Sequence, residues 1–309
     1  MSIILTQHIT RYYEEYSSLD VTFTKDIIKT IRLVPKQIFL KCAGYQWPCI
    51  IYSSSMISAR IIANANLPIK DVAQKANNSV SLHMSFRIDK SDPVSFFISA
   101  RISGFSPFGA SNPDLNIIAL TFTQRPADDL IVTLGQILEA NATSQKRKDE
   151  RIIMTPEVRS MMGIAAKETA LIVQGVPRKG IIRDLSFSGA KVIIAGVAKF
   201  LVGKPVTVNL ELEDTGVLEI EGTIPRFEPV EGRKDISAFA IQFTETSIPL
   251  RYKMIISDYL KVAAKNKRVS SQQAAPAPRP AVENPPPAAP KAPAPETPPK
   301  QAPPQNKPE

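Results

Sequence analysis

The sequence predicts a mainly β protein of two tandem small antiparallel β-barrels, each ending in an α-helix, with a disordered Pro-rich C-terminal tail. Two groups of segments alternate apolar and polar residues with a period of two, which is typical of half-buried strands. Each group ends in a segment whose apolar residues have helical spacing. Fourteen of the 27 prolines lie in the last 45 residues, where we find no apolar periodicity.

The first group contains three predicted strands and one helix. The strands cover Val80–Ile88, Phe96–Ile102 and Ile118–Phe122. The helix covers Leu130–Leu138 and is preceded by two aspartates, whose charge suits the positive end of the helix dipole.

The second group repeats this order. Alternation over Val206–Leu212, Leu218–Ile224 and Phe239–Phe243 predicts strands, and the spacing over Tyr252–Leu260 predicts a closing helix. The last strand of each group is followed directly by its helix, and the two strands lie about 120 residues apart. This likeness either reflects two related barrels or a strand-then-helix ending that is common by chance.

These patterns divide the chain into four parts. We predict a first barrel over residues 1–140, a linker over 141–151, a second barrel over 152–263 and a tail over 264–309. The linker segment is highly charged and lacks apolar periodicity. The tail is rich in Pro and Ala and cannot bury a core, so disorder is expected there.

Composition excludes several classes of function. The net charge is +9, of which +4 lies in residues 265–309. Residues 1–264 therefore carry less positive charge than is usual for a nucleic-acid-binding domain. The cysteines are Cys42 and Cys49 and the histidines are His8 and His83, which gives no zinc spacing, no disulfide framework and little for histidine catalysis. We find neither a signal peptide nor an apolar run of 18 residues, so we expect a cytoplasmic protein without a membrane span.

Two short motifs stand out. Arg147 and Arg151 form an RxxxR in the linker, and they are the only arginines spaced by four in the chain. Asp184, Ser186 and Gly189 form a DxSxxG between two strand-like segments. Each motif alone can match by chance, since a charged linker and an ordinary Asp/Ser turn explain them equally well. Their occurrence together in this order, followed by strands and a terminal helix, is much less expected by chance.

With these motifs, residues 147 to about 262 resemble the PilZ domain, a bacterial receptor domain for cyclic di-GMP. The whole body resembles the two-domain PilZ receptors of spirochaetes, in which a PilZ-like N-terminal barrel precedes the binding domain. The resemblance implies a six-stranded antiparallel barrel with a C-terminal helix, and cyclic di-GMP as ligand without a cofactor, metal or catalytic residue. It also implies that the five motif residues line the ligand.

The chemistry of these side chains agrees with that ligand. Arginine forks pair bidentately with guanine O6 and N7 or with phosphate oxygens, and they stack on bases. Asp184 can accept hydrogen bonds from the N1–H and N2–H₂ edge of guanine, and Ser186 supplies a short hydroxyl. Gly189 permits a backbone angle, or a close ligand approach, that a side chain would block.

Three further residues are candidates for additional contacts. The resemblance implies that the residue at Lys146 influences whether one ligand or a stacked pair binds. Arg183 flanks the DxSxxG and either adds positive potential or is an outward strand position. Arg226 either reaches the ligand from a neighbouring strand or faces solvent.

The function that we predict is a receptor rather than an enzyme. Because the RxxxR lies on the linker, ligand binding is expected to change the arrangement of the two barrels and so the surface shown to a protein partner. The resemblance implies regulation of motility or surface behaviour, with the motility apparatus as a candidate partner. A PilZ-type adaptor that works without ligand is the alternative. A nucleic-acid-binding barrel is less favoured, since the second domain shows no row of stacking aromatics.

Overall fold

The computed structural model describes residues 3–87, 93–109, 111–195, 200–214 and 216–273, so Ile88 of the first predicted strand and residues 274–309 of the predicted tail lie outside the described part. Within those ranges the chain forms six α-helices and fifteen strands. The strands build two antiparallel sheets, one in each half of the chain. The mainly β fold class is therefore confirmed.

The first domain combines eight strands with four helices. The strands are β1 (Val21–Thr22), β2 (Phe39–Cys42), β3 (Tyr45–Pro48), β4 (Ile50–Ser54), β5 (Ser58–Asn64), β6 (Ser79–Phe86), β7 (Val94–Pro107) and β8 (Leu115–Phe122). The helices are α1 (Ile3–Tyr16), α2 (Lys25–Thr30), α3 (Ile69–Lys75) and α4 (Asp128–Lys146). The sheet order is β1-β4-β5-β8-β7-β6-β2-β3, and within the described ranges no pairing joins its end strands β1 and β3.

Helix α1 is an element that the strand pattern did not predict. Its residues Ile9, Tyr12 and Tyr16 repeat at helical spacing and are buried in the first core. It lies against α4, where a Cβ at Gly135 would overlap the ring of Tyr12. The glycine therefore allows the two helices to approach closely.

The second domain is a closed barrel. Its strands are β9 (Ile152–Ile153), β10 (Glu168–Val173), β11 (Val176–Leu185), β12 (Gly189–Ala195), β13 (Pro205–Leu212), β14 (Gly216–Val230) and β15 (Arg233–Phe243). The order β10-β13-β14-β15-β12-β11 is closed by pairing of β10 with β11, and β9 adds to the outer side of β11. The predicted six-stranded barrel is thus confirmed here.

Two helices complete the second domain, α5 (Pro156–Met161) and α6 (Leu250–Gln273). The predicted closing helix is confirmed, and it continues past the predicted start of the tail at residue 264. Its residues Tyr252, Ile256 and Leu260 are buried in the second core. Its first residue, Leu250, is instead buried in the first core, so α6 contacts both domains.

Polar contacts support this junction between the domains. The backbone N–H of Leu250 donates to the Asp26 carboxylate of α2 at 2.7 Å. Glu139 of α4, of which only 13% of the side chain is exposed, accepts from Arg11, Tyr12 and Lys261 at 2.6–2.7 Å. Hydrogen bonds therefore join α1, α4 and α6 around one carboxylate.

Candidate ligand-binding site

The linker is shorter than the sequence predicts because α4 runs through Lys146. Arg147 is the C-terminal cap of this helix, and its N–H donates to the Thr143 carbonyl at 2.9 Å. Only Arg147 to Arg151 remain between α4 and β9. Both arginines of the RxxxR are therefore placed by neighbouring secondary structure, one by the helix end and one by the start of a strand.

Strand β9 brings the RxxxR to the DxSxxG. Ile152 pairs with Leu185 and Ile153 pairs with Asp184. As a result, a guanidinium nitrogen of Arg151 lies 2.5 Å from an Asp184 carboxylate oxygen. The Arg151 side chain is 53% exposed and that of Asp184 is 16% exposed, so the pair stands at the barrel surface.

The rest of the linker is held by Ser188, inside the DxSxxG. Its N–H donates to the Lys148 carbonyl at 3.1 Å, and its hydroxyl donates to the Asp149 carboxylate at 2.6 Å. Arg147 contacts Glu150 within the linker, with 3.4 Å between Nε and the carboxylate oxygen. Ser188 and Asp149 were not among the predicted site residues, and only their position inside the two motifs could have indicated them.

Ser186 organises the turn rather than facing outward. It is 4% exposed. Its Oγ accepts from the Gly189 N–H at 3.1 Å and its backbone N–H donates to the Gly189 carbonyl at 2.8 Å. The Ser186 carbonyl accepts from the hydroxyl of the fully buried Tyr252 at 2.7 Å, which fastens the turn to α6.

Gly189 is required by its own sheet. Its backbone is not in the left-handed region, contrary to one of the two reasons predicted for a glycine here. A Cβ at this position would overlap the Ile241 carbonyl oxygen of β15. The glycine therefore allows close approach of β12 and β15 rather than a special backbone angle.

A surface depression of about 360 Å³ lies beside this turn on the outer face of the barrel. Small-molecule sites commonly have volumes of about 300–1,000 Å³. Its lining combines charged and apolar side chains, namely Ile153, Arg183, Asp184, Lys191, Ile193, Glu228, Pro229, Val230 and Ala238. The structure thus places Arg183 in the lining, next to Asp184.

Opposite charges meet across this depression. The Lys191 ammonium of β12 lies 2.6 Å from a Glu228 carboxylate oxygen of β14. Its hydrogen bond and its charge lower the pKa of Glu228, with smaller contributions from Arg226 and Arg151. Arg226 is exposed on β14 two residues from Glu228. Lys191 and Glu228 were not predicted, although both lie on the polar phase of their strands.

The described residues were also compared with the requirements of a metal site and of a membrane-spanning helix. In the described ranges, we find no group of three or more Cys, His, Asp or Glu side chains that could hold a metal ion. Nor does any helix of those ranges combine the length and apolar character needed to cross a membrane.

The chain is thus a two-domain β protein whose second barrel carries a C-terminal helix and, on its surface, a charged candidate site beside the arginine-bearing segment that precedes β9. Family comparison agrees with this division. The PilZN3 domain matches residues 7–141 and the PilZ domain matches residues 145–260. The chain belongs to the PilZ family, as a protein with a PilZN3 domain followed by a PilZ domain.

One curated relative is closely similar over most of its length. It is described as a cyclic di-GMP binding protein of Treponema denticola and is 42% identical over 267 residues, which cover 86% of this chain and 85% of the relative. The resemblance predicted from the two motifs is thereby confirmed.

Solved structures are less similar. The Borreliella burgdorferi PlzA protein in complex with c-di-GMP is 24% identical with a TM-score of 0.40, covering 82% of this chain and 99% of that chain. The K. pneumonia MrkH–c-di-GMP complex is 14% identical with a TM-score of 0.28, covering 80% of this chain and 98% of that chain.

Proposed function

We propose that this chain is a receptor for cyclic di-GMP that binds the dinucleotide on the outer face of the second barrel, through Arg147, Arg151 and the Asp184–Gly189 turn. The observation that carries the proposal is the ion pair of Arg151 with Asp184, because it unites the two motifs at one place on the surface. The Treponema denticola relative supports the ligand, since its description names cyclic di-GMP binding.

Each motif residue has a role that follows from its surroundings. Arg147 and Arg151 are about half exposed and are held by surface ion pairs, which are worth only about 0–1 kcal/mol each. They can therefore turn to guanine or phosphate at little cost. Asp184 offers its carboxylate to a guanine edge. We assign Ser186 and Gly189 to shaping the turn, since their polar groups bond to each other.

The same geometry supports a regulatory role. Arg147 caps α4, and α4 contacts both α1 and α6. Ligand binding at Arg147 and Arg151 would therefore act on the helix that joins the two domains. We propose that this changes the interdomain arrangement and the surface offered to a protein partner, with motility or surface behaviour as the regulated process.

Calorimetric titration of cyclic di-GMP into the full chain tests the receptor function. We expect micromolar or tighter binding, which corresponds to about −8 kcal/mol. An Arg147→Ala/Arg151→Ala variant should lose it, while Arg101→Ala, an exposed arginine of the first domain, should retain it. GTP serves as the ligand control. If the wild type shows no binding by calorimetry and by a second method, the receptor function is wrong and a ligand-independent adaptor is the better account.

Small-angle scattering tests the regulatory step. We expect the scattering profile to change at saturating cyclic di-GMP in the wild type but not in the double arginine variant. An unchanged profile at proven saturation would contradict the proposed domain movement and leave ligand binding intact.

A further inference from the structure

The strand register arranges one row of side chains across the outer face of the second barrel. Asp184 of β11 pairs with Lys191 of β12, Lys191 pairs with Ala240 of β15, and Ala240 pairs with Arg226 of β14. Neighbouring strands lie about 4.8 Å apart, so the two ends of the row are separated by about 14 Å along the surface. The small side chain of Ala240 lies between the charged positions.

A second row lies two residues further along the same strands. Ile193 of β12 pairs with Ala238 of β15, and Ala238 pairs with Glu228 of β14. These three residues line the depression together with Asp184 and Lys191. The small Ala238 makes the centre of the face concave, and a carboxylate therefore stands on each side of an apolar floor.

We propose that Glu228 is a second guanine-reading residue of this site, which accepts hydrogen bonds from one base of the dinucleotide while Asp184 accepts them from the other. This inference rests on the proposed function and extends it to ligand specificity. Guanine offers N1–H and N2–H₂ as two adjacent donors, which an ionised carboxylate can accept together. Adenine carries an acceptor at N1 on the same edge, so the two carboxylates select guanine over adenine.

The protonation state of Glu228 suits this role. Lys191, Arg226 and Arg151 lower the pKa of its carboxyl, so the group remains an acceptor at neutral pH. Its side chain is 52% exposed and contacts only the Lys191 ammonium among the ion pairs of the described residues. On ligand binding Lys191 can move from Glu228 to a phosphate, since a lysine ammonium acts as a mobile point charge.

A simpler role for Glu228 is to neutralise Lys191. The two roles predict opposite changes in ligand affinity when Glu228 is removed. If Glu228 reads guanine, its removal deletes two hydrogen bonds to the base and weakens binding. If it only pairs with Lys191, its removal frees a cation beside a dianionic ligand and strengthens binding. The direction of the change in affinity therefore decides between them.

The experiment compares cyclic di-GMP and cyclic di-AMP by calorimetry on the full-length wild type, Glu228→Ala, Glu228→Gln and Lys191→Ala. A bidentate contact to a base gives about 1–3 kcal/mol of discrimination, so Glu228→Ala should weaken cyclic di-GMP binding roughly 5- to 150-fold and leave cyclic di-AMP unchanged or tighter. Glu228→Gln, which keeps one acceptor oxygen, should fall between. Lys191→Ala should weaken both dinucleotides alike.

Glu219→Ala is the matched control, because Glu219 is exposed on the same strand and does not line the depression. It should bind as the wild type does, and thermal unfolding should show all variants folded. Equal or tighter cyclic di-GMP binding by Glu228→Ala would overturn the assignment while the receptor function stands. Absence of binding by the wild type would overturn both.

Discussion

Ser188 allows a direct test of how the RxxxR segment is held against the barrel. The change Ser188→Ala removes the hydroxyl that donates to Asp149 at 2.6 Å but keeps the backbone contact to Lys148. A hydrogen bond to a charged group is worth about 1.5–3 kcal/mol, and exposure of this pair reduces the figure to roughly 1 kcal/mol. Opening of the segment should therefore become about fivefold more frequent.

Hydrogen exchange measures that opening without ligand. We expect the amides of Glu150 and Ser188, which donate to the carbonyls of Arg147 and Lys148, to exchange about fivefold faster in Ser188→Ala than in the wild type. If the held segment places Arg151 for binding, the dissociation constant for cyclic di-GMP should rise by a similar factor.

Asp149→Asn is the control, since it keeps an acceptor oxygen for Ser188 and should have the smaller effect. Exchange that is unchanged in Ser188→Ala would refute the reasoning that this hydrogen bond holds the segment. Faster exchange with unchanged affinity would limit its role to structure.

Three further predictions concern stability. Gly189→Ala should lower the free energy of unfolding by about 1–3 kcal/mol in urea titration, because the new methyl group overlaps the Ile241 carbonyl; an unchanged midpoint would contradict this close approach. Tyr252→Phe should lower it by about 1–3 kcal/mol, because the buried Ser186 carbonyl loses its donor; a smaller loss would mean that another donor replaces the hydroxyl. Burial opposes ionisation of Glu139, but hydrogen bonds from Lys261 and Tyr12 outweigh it and lower the pKa. The contribution of ionised Glu139 to the free energy of unfolding is therefore fully present above the ordinary carboxyl pKa of about 4.3, and it is lost as the pH falls through the lower pKa of the folded state. Glu139→Gln should therefore make the unfolding temperature less sensitive to acid below about pH 4.5.

Helix α6 links the stability of the two domains to the candidate site. Tyr252 fastens the DxSxxG turn, while Leu250, two residues earlier, is buried in the first core and capped by Asp26. The interdomain arrangement is therefore held by α6 as well as by the linker. The DxSxxG turn is therefore connected to the first domain through one hydrogen bond and the first residues of α6.

Local sequence patterns were sufficient to predict the strands and helices that bury only one face. The alternation in β6, β7, β8 and β13–β15 and the apolar faces of α4 and α6 are visible in the sequence because each buries one face. Helices α2 and α5 have only six residues each and bury no residue fully, which leaves too little periodicity to detect. The end of α4 was missed because its last turn, Thr143 to Lys146, consists of polar residues and continues no apolar pattern.

The sequence by itself determined the fold class, the second barrel, its closing helix and the pair of motifs, because these depend on residue types within short segments. Only the tertiary structure decided which side chains meet. The contacts of Arg151 with Asp184, Asp149 with Ser188 and Lys191 with Glu228 join residues 33 to 39 positions apart. Such contacts depend on strand register and barrel closure, which arise from packing of the whole domain, and no local pattern specifies them.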